Sequence, residues 1–146
     1  MSYSYTQGIY EVKNKEKFVG STNPRYLSSW ELVVFQKFDM HPNVIKWGAE
    51  NVVIPYYSNA DQKNRRYMID LFVEYIDKDG NKHKEIIEVK PFDQTQPPKR
   101  GRKKQATFLK ECYTYQVNQD KWLAAAKFAK KKGIRFRVIT EHDIFR

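Results

Sequence analysis

The sequence contains a single cysteine, Cys112, among its 146 residues. One cysteine can form neither a disulfide framework nor a cysteine-based zinc cluster, so we expect a protein of a reducing compartment. No apolar run approaches the ~18 residues that a membrane-spanning helix needs. The first residues, MSYSYTQG, lack the basic region and apolar core of a signal peptide, so we expect none. These absences argue against disulfide-rich secreted proteins and against a membrane partner.

Acidic residues are outnumbered in this chain. There are 17 Asp and Glu against 27 Lys and Arg, which gives a net charge of +10 and a pI near 9.6. A charge excess of this size favours a polyanionic partner such as nucleic acid. Aromatic residues make up 15% of the chain, which is typical of a folded protein with a core. We predict one domain over residues 1–146, without linker or internal repeat.

The first part of the chain predicts an arm followed by a helix. Residues 1–22 are polar and aromatic, and we expect an irregular arm with one short strand. Apolar side chains then recur at helical spacing, which predicts an amphipathic helix that ends before Pro42. Ser28 and Glu31 fit a capping box, in which the Glu31 side chain folds back on the helix start. Residues 42–57 hold two short apolar runs typical of strands.

The second part of the chain predicts strands, a loop, helices and a last strand. A hairpin, described below, is followed by a proline-containing segment, which cannot continue as a central strand because proline has no main-chain N–H to donate. This order predicts an α/β fold with a mixed β-sheet flanked by helices. In chain order we expect a polar loop (59–66), a basic loop (91–105), a helix (104–116), a stronger helix (119–132) capped by Asn118, and a strand (134–140).

Residues 67–90 predict a β-hairpin around the turn DKDG at 77–80. The length of the turn decides which side chains face each other. A two-residue loop would pair Asp70 with Val89 and place Glu88 on the opposite face. A three-residue loop, with the glycine left-handed in a bulge, pairs Asp70 with Glu88 instead.

In the three-residue register, two carboxylates and a lysine meet on one face, because Glu88 and Lys90 are two residues apart in a strand. Carboxylate oxygens are ligands that suit Mg²⁺, and a bound metal can activate water for attack on a phosphodiester. The hairpin therefore predicts a metal-dependent phosphodiesterase site. The alternative is a solvated face, since charged residues alternate on most antiparallel strands.

A run of five cations in six residues follows, KRGRKK at 99–104. Such a run can contact phosphates and become ordered when DNA binds. The alternative is a solvated loop that contacts nothing. Two further arginines lie just before the hairpin. The candidate DNA-binding residues are Arg65, Arg66, Lys99, Arg100, Arg102, Lys103 and Lys104.

The ordered set of a helix glutamate (Glu31), a strand aspartate (Asp70) and Glu88-Val89-Lys90, before a helix and a strand, resembles the PD-(D/E)XK nuclease superfamily. Ile69 stands where the superfamily name has proline, a position that does not touch the metal chemistry. TnsA-type transposition endonucleases are similar over the middle of the chain. A closer similarity is to the head completion nucleases of T-even-type tailed bacteriophages, through SSWE (28–31), PNVIKW (42–47), IPYY (54–57), RRYMID (65–70) and IEVKP (87–91).

The resemblance implies a restriction-endonuclease-like core and Mg²⁺-dependent endonuclease cleavage of double-stranded DNA. The catalytic residues would be Glu31, Asp70, Glu88 and Lys90. Asp70, Glu88, the Val89 carbonyl and Glu31 would hold one or two Mg²⁺ ions, with Mn²⁺ as a substitute. Lys90 would orient the attacking water or stabilise negative charge. The family further implies action at head completion, with phage head, portal or packaging proteins as partners, in the host cytoplasm or the virion.

Two other hypotheses remain open at this point. A non-catalytic DNA-binding structural protein of the virion would explain the positive charge, but it would gain nothing from carboxylates aimed at phosphate. A GIY-YIG-type nuclease is suggested by Gly8-Ile9-Tyr10 and by the second triad at 18–20, with Arg25 as its arginine. The second triad begins with phenylalanine, which lacks the hydroxyl of that family's tyrosine.

Overall fold

A mixed four-stranded sheet organises the fold in the computed structural model, which describes residues 6–145. The strand order is β3-β6-β7-β8, with β8 parallel to β7 and the other neighbours antiparallel. Strand pairs β1-β2 and β4-β5 form two separate two-stranded sheets. The elements are β1 (Gly8–Ile9), β2 (Arg25–Tyr26), α1 (Ser29–Met40), β3 (Val44–Ala49), β4 (Val53–Ser58), β5 (Lys63–Met68), β6 (Leu71–Ile76), β7 (Lys82–Val89), α2 (Gln105–Lys132), β8 (Arg135–Ile139) and α3 (Glu141–Ile144), with a 3-10 helix at Phe92–Thr95.

Alternation along β7 divides the buried side chains between two cores, one on each face of the sheet. Ile87 and Val89 belong to the core that also contains the buried face of α1. Ile86 belongs to the other core, which contains buried alanines of α2 and residues of the β4-β5 hairpin. Glu88, being in phase with Ile86, therefore faces α2. The predicted mixed α/β architecture with flanking helices is confirmed.

The turn between β6 and β7 has the predicted three-residue loop. Asp77 and Asn81 face each other, with a main-chain N–H···O bond of 2.9 Å from Asp77 to Asn81, and Gly80 is left-handed with φ 82°. Leu71 pairs with Ile87 in the resulting register. One residue further along, the same register sets Asp70 opposite Glu88, as predicted.

The first strand of the predicted hairpin, which begins at residue 67, is interrupted. β5 ends at Met68 and β6 begins at Leu71, so Asp70 lies at the bend between them. β5 pairs with β4 and not with the central sheet, and Arg65 and Arg66 lie opposite Tyr56 and Pro55. The prediction of a polar loop over 59–66 is thus wrong at residues 63 and 64, because main-chain pairing with β4 does not require apolar side chains. Arg65 and Arg66, which the sequence places at the entry to the hairpin strand, do lie in a strand.

The two helices predicted over 104–116 and 119–132 are one helix, α2, of 28 residues. Asn118 lies buried inside it and caps nothing. The polar residues that suggested a break have tertiary partners: the Asp120 carboxylate accepts hydrogen bonds from the Asn59 main chain (2.8 Å) and side chain (2.9 Å). The predicted end of the helix is confirmed, since Gly133 adopts a left-handed φ of 70° at the C-cap.

The N-terminal arm is more deeply packed than its composition predicted. It contains the expected short strand, β1, but Tyr10 and Val12 are buried in the core on the α1 side. Asp39, at the end of α1, anchors this segment: it accepts hydrogen bonds from the Tyr10 hydroxyl (2.6 Å) and from the Lys13 main chain (2.8 Å). The first part of the predicted arm, residues 1–5, lies outside the described residues.

Between residues 6 and 145, no helix combines the length and the apolar character needed to cross a bilayer.

Candidate active site

The structure brings Glu31, Asp70, Glu88 and Lys90 to one end of the central sheet. The Lys90 Nζ lies 3.7 Å from Glu88 Oε1. The charges of Glu31 and Glu88 both act on Asp70, and Lys90 acts on Glu31 as well as on Asp70. All four predicted catalytic residues therefore belong to one cluster, although they come from a helix, a bend and a strand end.

The Asp70 carboxylate is fixed by the neighbouring strand. Its Oδ2 accepts a hydrogen bond of 3.0 Å from the main-chain N–H of Val89. Burial raises the pKa of Asp70 well above its usual value, and the negative charges of Glu88 and Glu31 raise it further. The Val89 N–H and Lys90 oppose this shift without overcoming it. The cluster therefore holds more negative than positive charge, with the carboxylates of Asp70, Glu88 and Glu31 facing the single ammonium group of Lys90.

Glu88 is buried, with 6% of its surface exposed, and its two oxygens have different surroundings. Oε2 accepts hydrogen bonds from the Tyr67 hydroxyl and from the Trp122 Nε1, the latter at 2.5 Å. Burial and the adjacent Glu88 charge raise the pKa of Tyr67, so its hydroxyl stays protonated and acts as a donor. Oε1 points instead toward Lys90. Sequence reasoning missed both donors, since the predicted helix over 119–132 gives no indication that Trp122 contacts Glu88.

Glu31 lies in the first turn of α1, where it is nearly buried. Its main-chain N–H donates to Ser28 Oγ at 3.2 Å, which confirms the predicted N-cap. Its carboxylate accepts from the main-chain N–H of Leu27 at 3.1 Å, one residue before the partner that a capping box uses. Burial is the first cause that raises the pKa of Glu31, with the charges of Glu50 and Glu88 acting in the same direction.

Glu50 is a further residue near the site that sequence reasoning missed. It adopts a left-handed φ of 55°, which is uncommon for a residue with a side chain. Its main-chain N–H donates to the Asp70 carbonyl at 3.1 Å, so the turn after β3 closes directly onto the bend at Asp70. The turn also places the Glu50 charge close enough to Glu31 to raise its pKa.

The donor set fits a hard divalent cation. Across residues 6–145, no three His, Cys, Asp or Glu side chains approach closely enough to enclose a metal by themselves. Mg²⁺ does not require such a cage, because it keeps several waters and binds through one or two carboxylates. Asp70 and Glu88 supply two carboxylates, and the Val89 carbonyl is an oxygen of the same kind. Zinc, by contrast, prefers nitrogen and sulfur ligands that this cluster does not contain.

The predicted DNA-binding residues fall into two groups. Arg65 and Arg66 point to opposite faces of β5, and the Arg65 guanidinium forms an ion pair with Asp61. The cations of residues 99–104 are exposed and precede α2. Lys103 pairs with Glu111 at 2.7 Å, and with Lys99 it lines an open groove of about 780 Å³ between the segment after Lys90 and the first half of α2.

Of the residues that suggested a GIY-YIG site, Tyr10 is buried in the core and Phe18 is partly buried against it, whereas Ile9 and Val19 are exposed. Tyr10 is buried against Asp39, and burial together with that carboxylate raises the pKa of its hydroxyl. Phe18 packs edge-on against Trp47, with ring centroids 4.8 Å apart. The Tyr10 hydroxyl is thus engaged in a structural hydrogen bond, which removes the observation on which the GIY-YIG hypothesis rested.

A mixed sheet that carries an acid pair and a lysine at a strand end is the arrangement that the sequence resemblance predicts for an endonuclease. The family described as "TnsA-like endonuclease N terminal" matches residues 41–141. The chain therefore belongs to the TnsA-like endonuclease family and is a nuclease. It is also similar to the head completion nuclease of Enterobacteria phage T4, with 41% identity over 151 aligned positions that cover 99% of this chain and 95% of the relative. Both predicted family relationships are confirmed.

Proposed function

We propose that this protein is a Mg²⁺-dependent endonuclease that hydrolyses phosphodiester bonds in double-stranded DNA. The observation that carries the proposal is the register of the β6-β7 hairpin. Continued by one residue beyond Leu71 and Ile87, that register brings Asp70 beside Glu88. The Asp70 carboxylate accepts a hydrogen bond of 3.0 Å from the Val89 N–H, and Lys90 Nζ lies 3.7 Å from the Glu88 carboxylate. Two hard oxygen donors and one cation at a strand end are what metal-assisted phosphodiester hydrolysis requires.

The residues divide the chemistry between them. Asp70, Glu88 and the Val89 carbonyl would hold Mg²⁺, and Glu31 would hold a second ion or a metal-bound water. When bound, the metal lowers the pKa of water and offsets charge on the phosphate. Lys90 orients the attacking water or stabilises the negative charge that develops on the phosphoryl oxygens. Mn²⁺, which accepts the same oxygen ligands, would substitute for Mg²⁺.

The charge distribution supports DNA as the substrate. The chain carries a net charge of +10. The exposed cations of residues 99–104 lie in the segment that connects β7, at whose end the site is found, to α2. Arg66, exposed on β5, adds a further cation. The similarity to a head completion nuclease supports a role in phage head completion. The proposal extends to head, portal or packaging proteins as partners, in the host cytoplasm or in the virion.

The test is cleavage of supercoiled plasmid by the purified protein with Mg²⁺, with and without EDTA. An endonuclease converts the circle to nicked or linear forms, whereas an exonuclease leaves it intact. Asp70→Asn, Glu88→Gln and Lys90→Ala should each abolish cleavage while the protein stays folded. Lys84→Ala is the matched control. Lys84 is exposed in the same strand, but it lies opposite Glu74 in the β6-β7 ladder, away from the site.

Two results would contradict the proposal. One is a wild-type protein that binds the plasmid without cutting it in Mg²⁺, which is the behaviour of a non-catalytic DNA-binding protein. The other is a Lys90→Ala variant that cuts as fast as Lys84→Ala.

A further inference from the structure

Two aromatic side chains from different elements converge on one oxygen of Glu88. Tyr67 comes from β5 and Trp122 from the middle of α2, and both donate a hydrogen bond to Oε2. These residues are 21 and 34 positions away from Glu88 in sequence. The nuclease mechanism described above uses neither of them.

The geometry restricts the Glu88 carboxylate to one orientation. Tyr67 is held rigidly, because it is 3% exposed and lies opposite Ile54 in the β4-β5 ladder. Trp122 is held by the helix that packs over the same face. With Oε2 engaged by both donors, rotation of the carboxylate would break two hydrogen bonds inside a buried site, which is costly. Oε1 is therefore the oxygen that remains directed toward Lys90 and the space in front of Asp70.

We propose that Tyr67 and Trp122 are positioning residues, which orient Glu88 so that its Oε1 is the oxygen presented to the divalent cation. The proposal rests on the metal-dependent function argued above. Hydrogen-bond partners of metal ligands act in this way in other metal sites, and their removal typically lowers metal affinity or activity about 10- to 100-fold. Here the two partners come from the β4-β5 hairpin and from α2, so both elements contribute to the site through Glu88.

A purely structural role is the competing explanation, and the chain contains a matched control for it. Tyr75 donates a hydrogen bond of 2.6 Å to Glu85 Oε2, three residues before Glu88 in the same strand. Glu85 is buried even more completely than Glu88. Tyr75→Phe thus removes the same kind of bond from the opposite face of β7, in the core next to α1.

The experiment compares Tyr67→Phe, Trp122→Phe and Tyr75→Phe with the wild type. Mn²⁺ binding to the DNA-free protein is measured by electron paramagnetic resonance of the free ion, and the melting temperature is recorded in EDTA. In parallel, the Mg²⁺ concentration for half-maximal plasmid cleavage is determined. We expect Tyr67→Phe and Trp122→Phe to weaken Mn²⁺ binding and raise the Mg²⁺ requirement about 10-fold or more. Tyr75→Phe should change neither, even where it lowers the melting temperature.

The outcomes separate this inference from the proposed function. If the wild type binds Mn²⁺ and cuts DNA, but Tyr67→Phe and Trp122→Phe match Tyr75→Phe, only the positioning role is wrong. If the wild type neither binds Mn²⁺ nor cuts in Mg²⁺, the proposed function is wrong and the inference fails with it. If Trp122→Phe does not fold, Tyr67→Phe decides alone, because it removes a single oxygen atom. A Tyr67→Phe protein that does not fold overturns the inference, since Tyr67 would then be required for folding.

Discussion

The carboxylate of Glu31 accepts a hydrogen bond of 3.1 Å from the main-chain N–H of Leu27, just before the start of α1. The same carboxylate adds negative charge beside Asp70 and is acted on by Lys90. One side chain thus closes the beginning of a helix and faces the candidate metal site. A loss of activity on its removal would have two explanations unless stability is measured as well.

Glu31→Gln and Glu31→Ala should separate the two roles. Glutamine keeps an oxygen that can accept from Leu27 but loses the charge. Because the pKa of Glu31 is raised in the folded protein, we expect a melting temperature no lower than that of the wild type at neutral pH, with strongly reduced Mg²⁺-dependent cleavage. Alanine removes both, and should also lower the free energy of unfolding by ~0.5–2 kcal/mol, as the loss of a helix cap does. Ser28→Ala is the control, since it removes only the cap and should leave cleavage intact below its melting point. Full cleavage by Glu31→Gln would remove Glu31 from the site.

Asp70→Asn should raise the melting temperature of the metal-free protein near neutral pH. Burial first, and then the charges of Glu88 and Glu31, hold the pKa of Asp70 above its unfolded value of about 3.9. A carboxyl whose pKa is raised on folding disfavours the folded state at every pH above its unfolded pKa. The gain from Asp70→Asn should therefore shrink as the pH falls through the raised pKa toward 4, in thermal melts recorded with EDTA.

Asp77→Asn, at the other end of β6, should have the opposite sign. The His83 side chain and main-chain N–H groups of the turn hold the pKa of Asp77 below its usual value. A depressed pKa stabilises the folded state above the unfolded pKa, and this stability is lost as the pH falls through the folded pKa. Asp77→Asn should thus lower the melting temperature at neutral pH. Shifts of the same sign in both variants would contradict the electrostatic assignment of Asp70.

Neutralising the five cations of residues 99–104 should weaken DNA binding without removing catalysis. If all five contact phosphates, the log–log dependence of binding on salt should become shallower by about 0.9 per contact, or ~4–5 in total. Binding is best measured across a salt series in Ca²⁺, which we expect to support binding with little cleavage. Neutralising residues 130–132, the cationic last turn of α2, is the comparison. An unchanged slope would remove residues 99–104 from the DNA site.

Arg65 and Arg66 should behave differently although they are adjacent. Arg65→Ala breaks the ion pair with Asp61 at a partly exposed position, so we expect a stability loss of about 1 kcal/mol or less. Arg66, on the other face of β5, should contribute to DNA binding, and Arg66→Ala should reduce the salt slope by about one contact at an unchanged melting temperature. An Arg66→Ala slope equal to that of the wild type would remove Arg66 from the DNA site.

The sequence predicted those features of the fold that depend on a few consecutive residues, such as turns and helix ends. The DKDG turn predicted the hairpin and reduced its register to two alternatives, of which the structure has the three-residue loop with a left-handed glycine. Ser28 and Gly133 mark helix ends through bonds to residues in the same turn. Order along the chain was enough to predict the mixed sheet and the family, which the comparisons confirm.

The tertiary structure alone decided the surroundings of those residues. Asn118 has the character of a helix cap, yet α2 passes through it because Asn59 and the β4-β5 hairpin supply partners for its polar neighbours. Tyr67 and Trp122 contact Glu88 from two other elements. The spacing of apolar residues predicts single helices and strands, but it does not predict which side chains meet when those elements pack together. Turn chemistry and strand alternation are local and can be predicted from the sequence, whereas the hydrogen bonds that orient a buried carboxylate depend on how separate elements pack.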